Sequence, residues 1–168
     1  MSSKKRNRIK VLSTLLGEGS SSRLFQAVRE KLGITYHIAS FLNSYHDVSS
    51  FGVYFSTNLM QADKVLNIVF REFNKLKEIK IKEKELMKVK AYLKGGTLLN
   101  LESTTNRMLR IANSMMYFNR IVSVEDFIKD IESVTADDLM KLANDVLNEK
   151  KLVKVILKSN SKKLSKVA

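Results

Sequence analysis

Residues 17–36 read GEGSSSRLFQAVREKLGITY. The stretch opens on a glycine-serine turn made by Gly17, Gly19, Ser20, Ser21 and Ser22. Small hydroxyl residues ahead of an apolar run are helix-opening signals, so Ser20–Ser22 are expected to cap a short helix. Leu24, Phe25, Val28 and Leu32 give that helix its apolar face, and Gly33 stops it. From Ile34 the period changes. Ile34, Tyr36, Ile38 and Ser40 alternate with Thr35, His37, Ala39 and Phe41, the pattern of a strand.

Working outward, Ile9, Val11, Leu12, Leu15 and Leu16 are spaced as one helix face, with Gly17 as its C-terminal cap. After the strand at 34–45, a loop at His46–Ser50 leads to a second strand, Phe51–Thr57, rich in aromatic and β-branched residues. Residues 61–78 are an amphipathic helix with Ala62, Val65, Leu66, Val69, Phe73 and Leu76 on one face. A long helix over 82–103 buries Leu86, Val89, Leu93 and Leu98. Gly95 and Gly96 lie inside it, which predicts a close backbone approach or a kink. Residues 104–119 are helical, with Met108, Ile111, Ala112, Met115 and Met116 apolar. Ser123 and Thr135, each followed by two acids, open two more helices. Leu152–Leu157 reads as a final strand. The order is helix, helix, strand, strand, several helices, strand: an α+β fold whose antiparallel sheet is covered by helices. Three strands are few for so many helices.

The 168 residues fit a single domain, with a folded body at about 11–158 and basic tails at 1–10 and 159–168. With no cysteine, disulfides and thiolate chemistry are excluded. That composition suits a reducing compartment, and the cytoplasm is expected, with a mitochondrial or other organelle matrix as the alternative. No apolar run approaches the ~20 residues of a membrane span. The net charge is +13, with +5 in residues 1–10, +3 in residues 159–168 and a further +5 in the lysine-rich stretch 75–94. Lysine rather than arginine dominates these runs, so they read as a solvated helix face and tails. Nucleic-acid binding is the minor alternative.

Chemistry-bearing motifs are few. His37 and His46 stand outside any H-x-x-E-H pattern. A triad of Ser20, His37 or His46, and Asp47 can be drawn, but no G-x-S-x-G elbow supports it. The glycine-serine turn lacks the Lys-Ser or Lys-Thr of a phosphate-binding loop. Arg29 and Tyr36, on either side of Gly33, read by periodicity as an ion-pair partner and a half-buried strand residue.

LLGEGSSSRLFQAVREKLGITYHIASF resembles the signature of the C-terminal half-domain of the pitrilysin, insulinase and mitochondrial processing peptidase family of zinc metallopeptidases. FGVYFSTN, ELMKVKAYLKGGTLLNLESTTNRMLRIANSMMYF and DFIKDIESVTADDLMKLANDVL resemble later segments of it, so the likeness covers about 11–157. Two departures stand out. Glu18 replaces the middle glycine of the turn, and the half-domain's first strand has no counterpart ahead of Val11. The resemblance implies two homologous halves facing each other around a chamber, with the zinc motif in the other half. It implies that Arg29 and Tyr36 bind the peptide substrate near the scissile bond. This chain would have no catalytic residues of its own and no metal ligands; zinc would belong to a zinc-bearing homologous domain or subunit. The expected function is therefore the substrate-binding part of a zinc metalloendopeptidase. The alternative is a structural, non-catalytic subunit, with homo-oligomerisation left open.

Overall fold

The computed structural model describes residues 3–45 and 48–157. The chain begins with helix α1 (Ser3–Gly17), followed by a π-helical turn (Phe25–Glu30) and the strands β1 (Thr35–Ser44) and β2 (Ser49–Thr57). Five helices follow: α2 (Ala62–Glu78), α3 (Glu83–Asn100), α4 (Thr104–Phe118), α5 (Val124–Glu132) and α6 (Ala136–Val146). The α+β reading holds: helices cover one face of an antiparallel sheet, which has two strands among the described residues.

α1 is the centre of the molecule. It packs on β1 on one side and on α3, α5 and α6 on others. Val11, Leu12, Leu15 and Leu16 are therefore buried together with Ser13 and Thr14. The basic start is not the tail that its charge suggested. α1 runs from Ser3, Ile9 is buried, and Arg6 is pinned between two elements. The Arg6 guanidinium donates to the Tyr45 carbonyl (2.6 Å) and lies over the Tyr117 and Phe118 rings. Arg8 pairs with Asp138 of α6 at 3.0 Å. The basic tail at 159–168 lies outside the described residues.

In the hairpin, Ile38 pairs with Phe55, Ser40 with Val53 and Leu42 with Phe51 on the core face. Ala39 with Tyr54 and Phe41 with Gly52 lie on the opposite, open face. β2 starts at Ser49, two residues before the sequence signal. Leu152–Leu157 is not a strand; it is exposed and pairs with no strand among the described residues. Its apolar, β-branched pattern fits a sheet, but no neighbouring strand is present among the described residues to supply the hydrogen bonds that define one.

α2 buries Val65, Val69, Phe73 and Leu76 of the face that its pattern predicts, with Ile68 added and Glu72 tied to Lys75, while Ala62 and Leu66 are half-buried. Ser103, Ser123 and Thr135 cap α4, α5 and α6, and Thr135 with Asp138 forms a full capping box. The expectations for α3 fail at two places. Leu98 is exposed, and nothing lies within 4 Å of a Cβ built on Gly95 or Gly96. Lys90, read as part of a solvated face, is buried and donates to the Glu132 carbonyl (2.8 Å), so it closes the end of α5. No helix among the described residues is long and apolar enough to cross a membrane.

Candidate functional site

The residues 17–36 form a joint between α1, the hairpin and α3. At Gly17 the end of α1 meets β1 so closely that a Cβ would sit 2.4 Å from the Ser40 nitrogen. Two buried bonds lock this contact, Ser13 Oγ with Ser40 Oγ (2.9 Å) and Ser40 Oγ to the Ser13 carbonyl (2.7 Å). Glu18 is accommodated without strain, because Asn119 is the one non-glycine with positive φ among the described residues. Its carboxylate is drawn back onto α1 by Lys10 (2.6 Å) and the Thr14 hydroxyl (2.5 Å). The negative charge that this residue introduces is thus neutralised locally. The left-handed turns fall on Gly19 (φ 79°) and Gly33 (φ 61°), which a side chain would strain.

The serines act differently from expectation. The Ser22 hydroxyl donates to the Gly19 carbonyl (2.8 Å), so it closes the turn rather than accepting a helix N–H. No side chain caps the helix that follows. That helix is wound as π: the Lys31 N–H reaches back five residues to the Gln26 carbonyl (3.1 Å). Leu24 and Val28 are fully buried beneath it. Arg23 fixes it to the first turn of α3 through a two-pronged pair with Glu85, both bonds at 2.8 Å. The Glu85 hydrogen bond outweighs burial and holds the Arg23 guanidinium above its usual pKa.

Arg29 is exposed, and its guanidinium lies over the Phe25 ring at 4.9 Å. The chain then turns at Gly33, where the Gly33 and Ile34 N–H groups return to the Arg29 and Val28 carbonyls. Tyr36 follows at a β-bulge. Thr35 pairs with Thr57 and His37 with Ser56, so Tyr36 is the extra residue. The bulge turns Tyr36 away from Ile38 and the core; it is 92% exposed. Among the described residues its hydroxyl makes no hydrogen bond. Thr35 holds the bulge by donating towards the Ser56 carbonyl (2.5 Å), and Thr57 donates to the Ile34 carbonyl. Arg29 and Tyr36 thus stand exposed on consecutive elements, with no hydrogen bond or ring contact joining them.

Sequence reasoning missed the aromatic group on the open face beside Tyr36. His37 stacks on Tyr54 (4.9 Å between ring centres, 23° between planes), and the Tyr54 hydroxyl lies 3.3 Å from His37 Nε2. Phe41 lies against Tyr54 at 6.4 Å. The register that assembles these rings depends on the bulge, which the residue pattern does not mark. His46 and Asp47 of the paper triad lie outside the described residues. Among the described residues no group of three or more histidines, aspartates and glutamates is placed to hold a metal ion. Grooves of about 420–430 Å³ lie elsewhere, between α3, α4 and α5 and along α6. Among the described residues, Arg8, Lys10, Arg23, Lys75, Lys80 and Lys94 each pair with a carboxylate.

Residues 2–93, more than half of the chain, match the family model described as the peptidase M16 inactive domain. The chain belongs to that family. The chain is 38% identical over 157 residues to an uncharacterized zinc protease of Streptomyces coelicolor, covering 94% of this chain and 34% of the relative. It is 31% identical over 139 residues to the uncharacterized zinc protease YmxG of Bacillus subtilis, covering 83% and 34%. The chain therefore spans about a third of the length of the curated relatives it matches. The fold matches a protease from Helicobacter pylori (TM-score 0.76, 23% identity, 88% of this chain and 35% of the other). It also matches the peptidase M16 inactive domain from Pseudomonas fluorescens (TM-score 0.74, 23% identity, 86% and 34%).

Proposed function

We propose that this M16 inactive domain supplies the non-zinc wall of a peptide-cleaving chamber, with Arg29 and Tyr36 holding the peptide backbone. The observation that carries this reading is the exposed Tyr36 hydroxyl at a bulge, free of partners among the described residues, one turn beyond an exposed Arg29. A tyrosine that is 92% exposed contributes almost nothing to packing. Its hydroxyl and the Arg29 guanidinium are both donors, suited to a peptide carbonyl oxygen as negative charge develops on it. Phe25 braces Arg29, and the Thr35 bonds brace the bulge, so both donors are held before substrate arrives. Among the described residues no group of three or more histidines, aspartates and glutamates is placed to hold zinc. In this reading a zinc-bearing homologous half would hold the metal and activate water. The names of the relatives support a zinc protease as the whole assembly. With bacterial relatives and no cysteine, the cytoplasm is the compartment that this reading assigns.

The test combines this chain with a zinc-bearing M16 chain and follows cleavage of a fluorogenic peptide. Tyr36→Phe and Arg29→Ala are expected to lower kcat/KM by about 10²-fold each, the loss of one oriented donor, with thermal stability unchanged. Full cleavage by both variants would remove the reading. A second reading, a structural subunit, is favoured by α4, whose Met108, Ile111, Met115 and Met116 are all exposed. Such an apolar surface suits a covered interface. Under it, both variants cleave normally, and charged substitutions on α4 abolish assembly.

A further inference from the structure

The π-turn that carries Arg29 is six residues long, and no side chain among the described residues caps its start. A helix this short does not hold its own shape in water, so contacts outside it must set its orientation. Leu24 and Val28 are fully buried, which holds the turn down on β1 and α2. Apolar burial is non-directional, so it leaves the rotation of the turn about its own axis unset. The directional contact is made by Arg23. Its Nε and Nη2 donate to the two Glu85 carboxylate oxygens, both at 2.8 Å. A two-pronged pair of this kind fixes planes as well as distance. We infer that Arg23 is a positioning residue for the peptide site: its fork on Glu85 sets the rotation of the π-turn and so places the Arg29 guanidinium. The inference rests on the reading of Arg29 as a donor to the peptide.

The anchor on α3 is rigid. Glu85 lies in the first turn of that helix, where the dipole favours a carboxylate, and its neighbour Leu86 is buried. Glu72 of α2, buried and tied to Lys75, adds a second attraction for the Arg23 charge. Arg23 is therefore held by two helices at once. Two residues further on comes Phe25, whose ring centre lies 4.9 Å from the Arg29 guanidinium. A turn rotated at Arg23 carries Phe25 with it, and Arg29 loses the ring that braces it. The far end of the turn is closed by backbone bonds, from the Lys31 N–H to the Gln26 carbonyl (3.1 Å) and from the Gly33 N–H to the Arg29 carbonyl (3.0 Å). Tyr36 is held separately, by Thr35 and Thr57 at the bulge, so the Arg23–Glu85 pair acts on one of the two donors.

Arg23→Lys keeps a cation between Glu85 and Glu72, so neither carboxylate is stranded, but an ammonium has no fork. In the chain by itself, hydrogen exchange at the Lys31 and Gly33 amides is expected to rise about tenfold in Arg23→Lys, with the α6 amides unchanged. With the zinc-bearing M16 chain and the fluorogenic peptide, Arg23→Lys is expected to lower kcat about tenfold with KM nearly unchanged, because the misplaced donor serves the developing charge. Placed on Arg29→Ala, the same substitution is expected to change kcat by less than about twofold. Glu85→Gln, which keeps an acceptor but not the charge, is expected to follow Arg23→Lys in each measurement. Unchanged exchange at Lys31 and Gly33 overturns the inference. So does normal cleavage by Arg23→Lys while Arg29→Ala is impaired, or a full loss added to that of Arg29→Ala, the mark of a merely structural role. Normal cleavage by both Arg29→Ala and Tyr36→Phe overturns the peptide-holding reading and this inference together, which tells the two failures apart.

Discussion

At Gly17 a single hydrogen atom lets α1 close on β1. Any side chain there meets the Ser40 backbone nitrogen at 2.4 Å, and backbone cannot swing away as a side-chain tip can. Gly17→Ala is therefore expected to cost about 2–3 kcal/mol, the scale of forced overpacking. Gly33→Ala, with open space around it but a φ of 61°, should cost only about 1 kcal/mol. Urea unfolding of the two variants checks the order; equal losses would mean that the helix end can shift. The sequence marks Gly17 as a helix stop, yet the physical reason lies at Ser40, 23 residues away, where periodicity cannot reach. Tyr36 shows the same limit. Strict alternation places it with Ile38, and one extra residue in the ladder turns it out to solvent.

The elements themselves follow from local chemistry wherever the signal is local. Ser123 and Thr135 cap their helices as their spacing from the following acids requires. The amphipathic face of α2 is buried at Val65, Val69, Phe73 and Leu76 and half-buried at Ala62 and Leu66. α3 departs from this because its glycines meet nothing. An interior glycine costs about 1 kcal/mol against alanine, and open space leaves no packing reason to keep it. Gly95→Ala and Gly96→Ala are each expected to stabilise the chain by about 0.5–1 kcal/mol, read as a higher urea midpoint. A loss instead would show that a Cβ at these positions meets other atoms of the folded chain. Leu152–Leu157 has the composition of a strand, but strand character needs a neighbour as well as a pattern.

Across the whole molecule, acids on α5 and α6 tie those helices to side-chain donors on α1 and α3. Asp138 pairs with Arg8, Glu132 with Lys94, and Asp130 accepts from Asn7 (3.0 Å). Burial pushes the Asp138 carboxyl up, but the Thr135 backbone and hydroxyl bonds and Arg8 together hold it below the usual range. The Lys94 bond holds Glu132 down likewise. Both groups bind protons less readily folded than unfolded. Their stabilisation is full above about pH 4.5 and is lost as pH falls through the lower folded values. Asp138→Asn with Glu132→Gln is expected to flatten the acid limb of a stability–pH profile; an unchanged limb would assign it to other carboxylates.

By itself the sequence determined the helix order, the hairpin, the caps and the membership in a peptidase family, because each rests on residues within a turn or two of one another, or on a motif carried in one stretch. Tertiary structure decided the rest. It made the basic start into the central helix, left Leu152–Leu157 unpaired, and brought His37, Phe41 and Tyr54 together on one face. It also turned the residues 17–36 from a capped helix into a locked joint that presents Arg29 and Tyr36 to solvent. Each of these depends on contacts between distant residues, or on a one-residue register shift, and side-chain pattern along a single chain encodes neither.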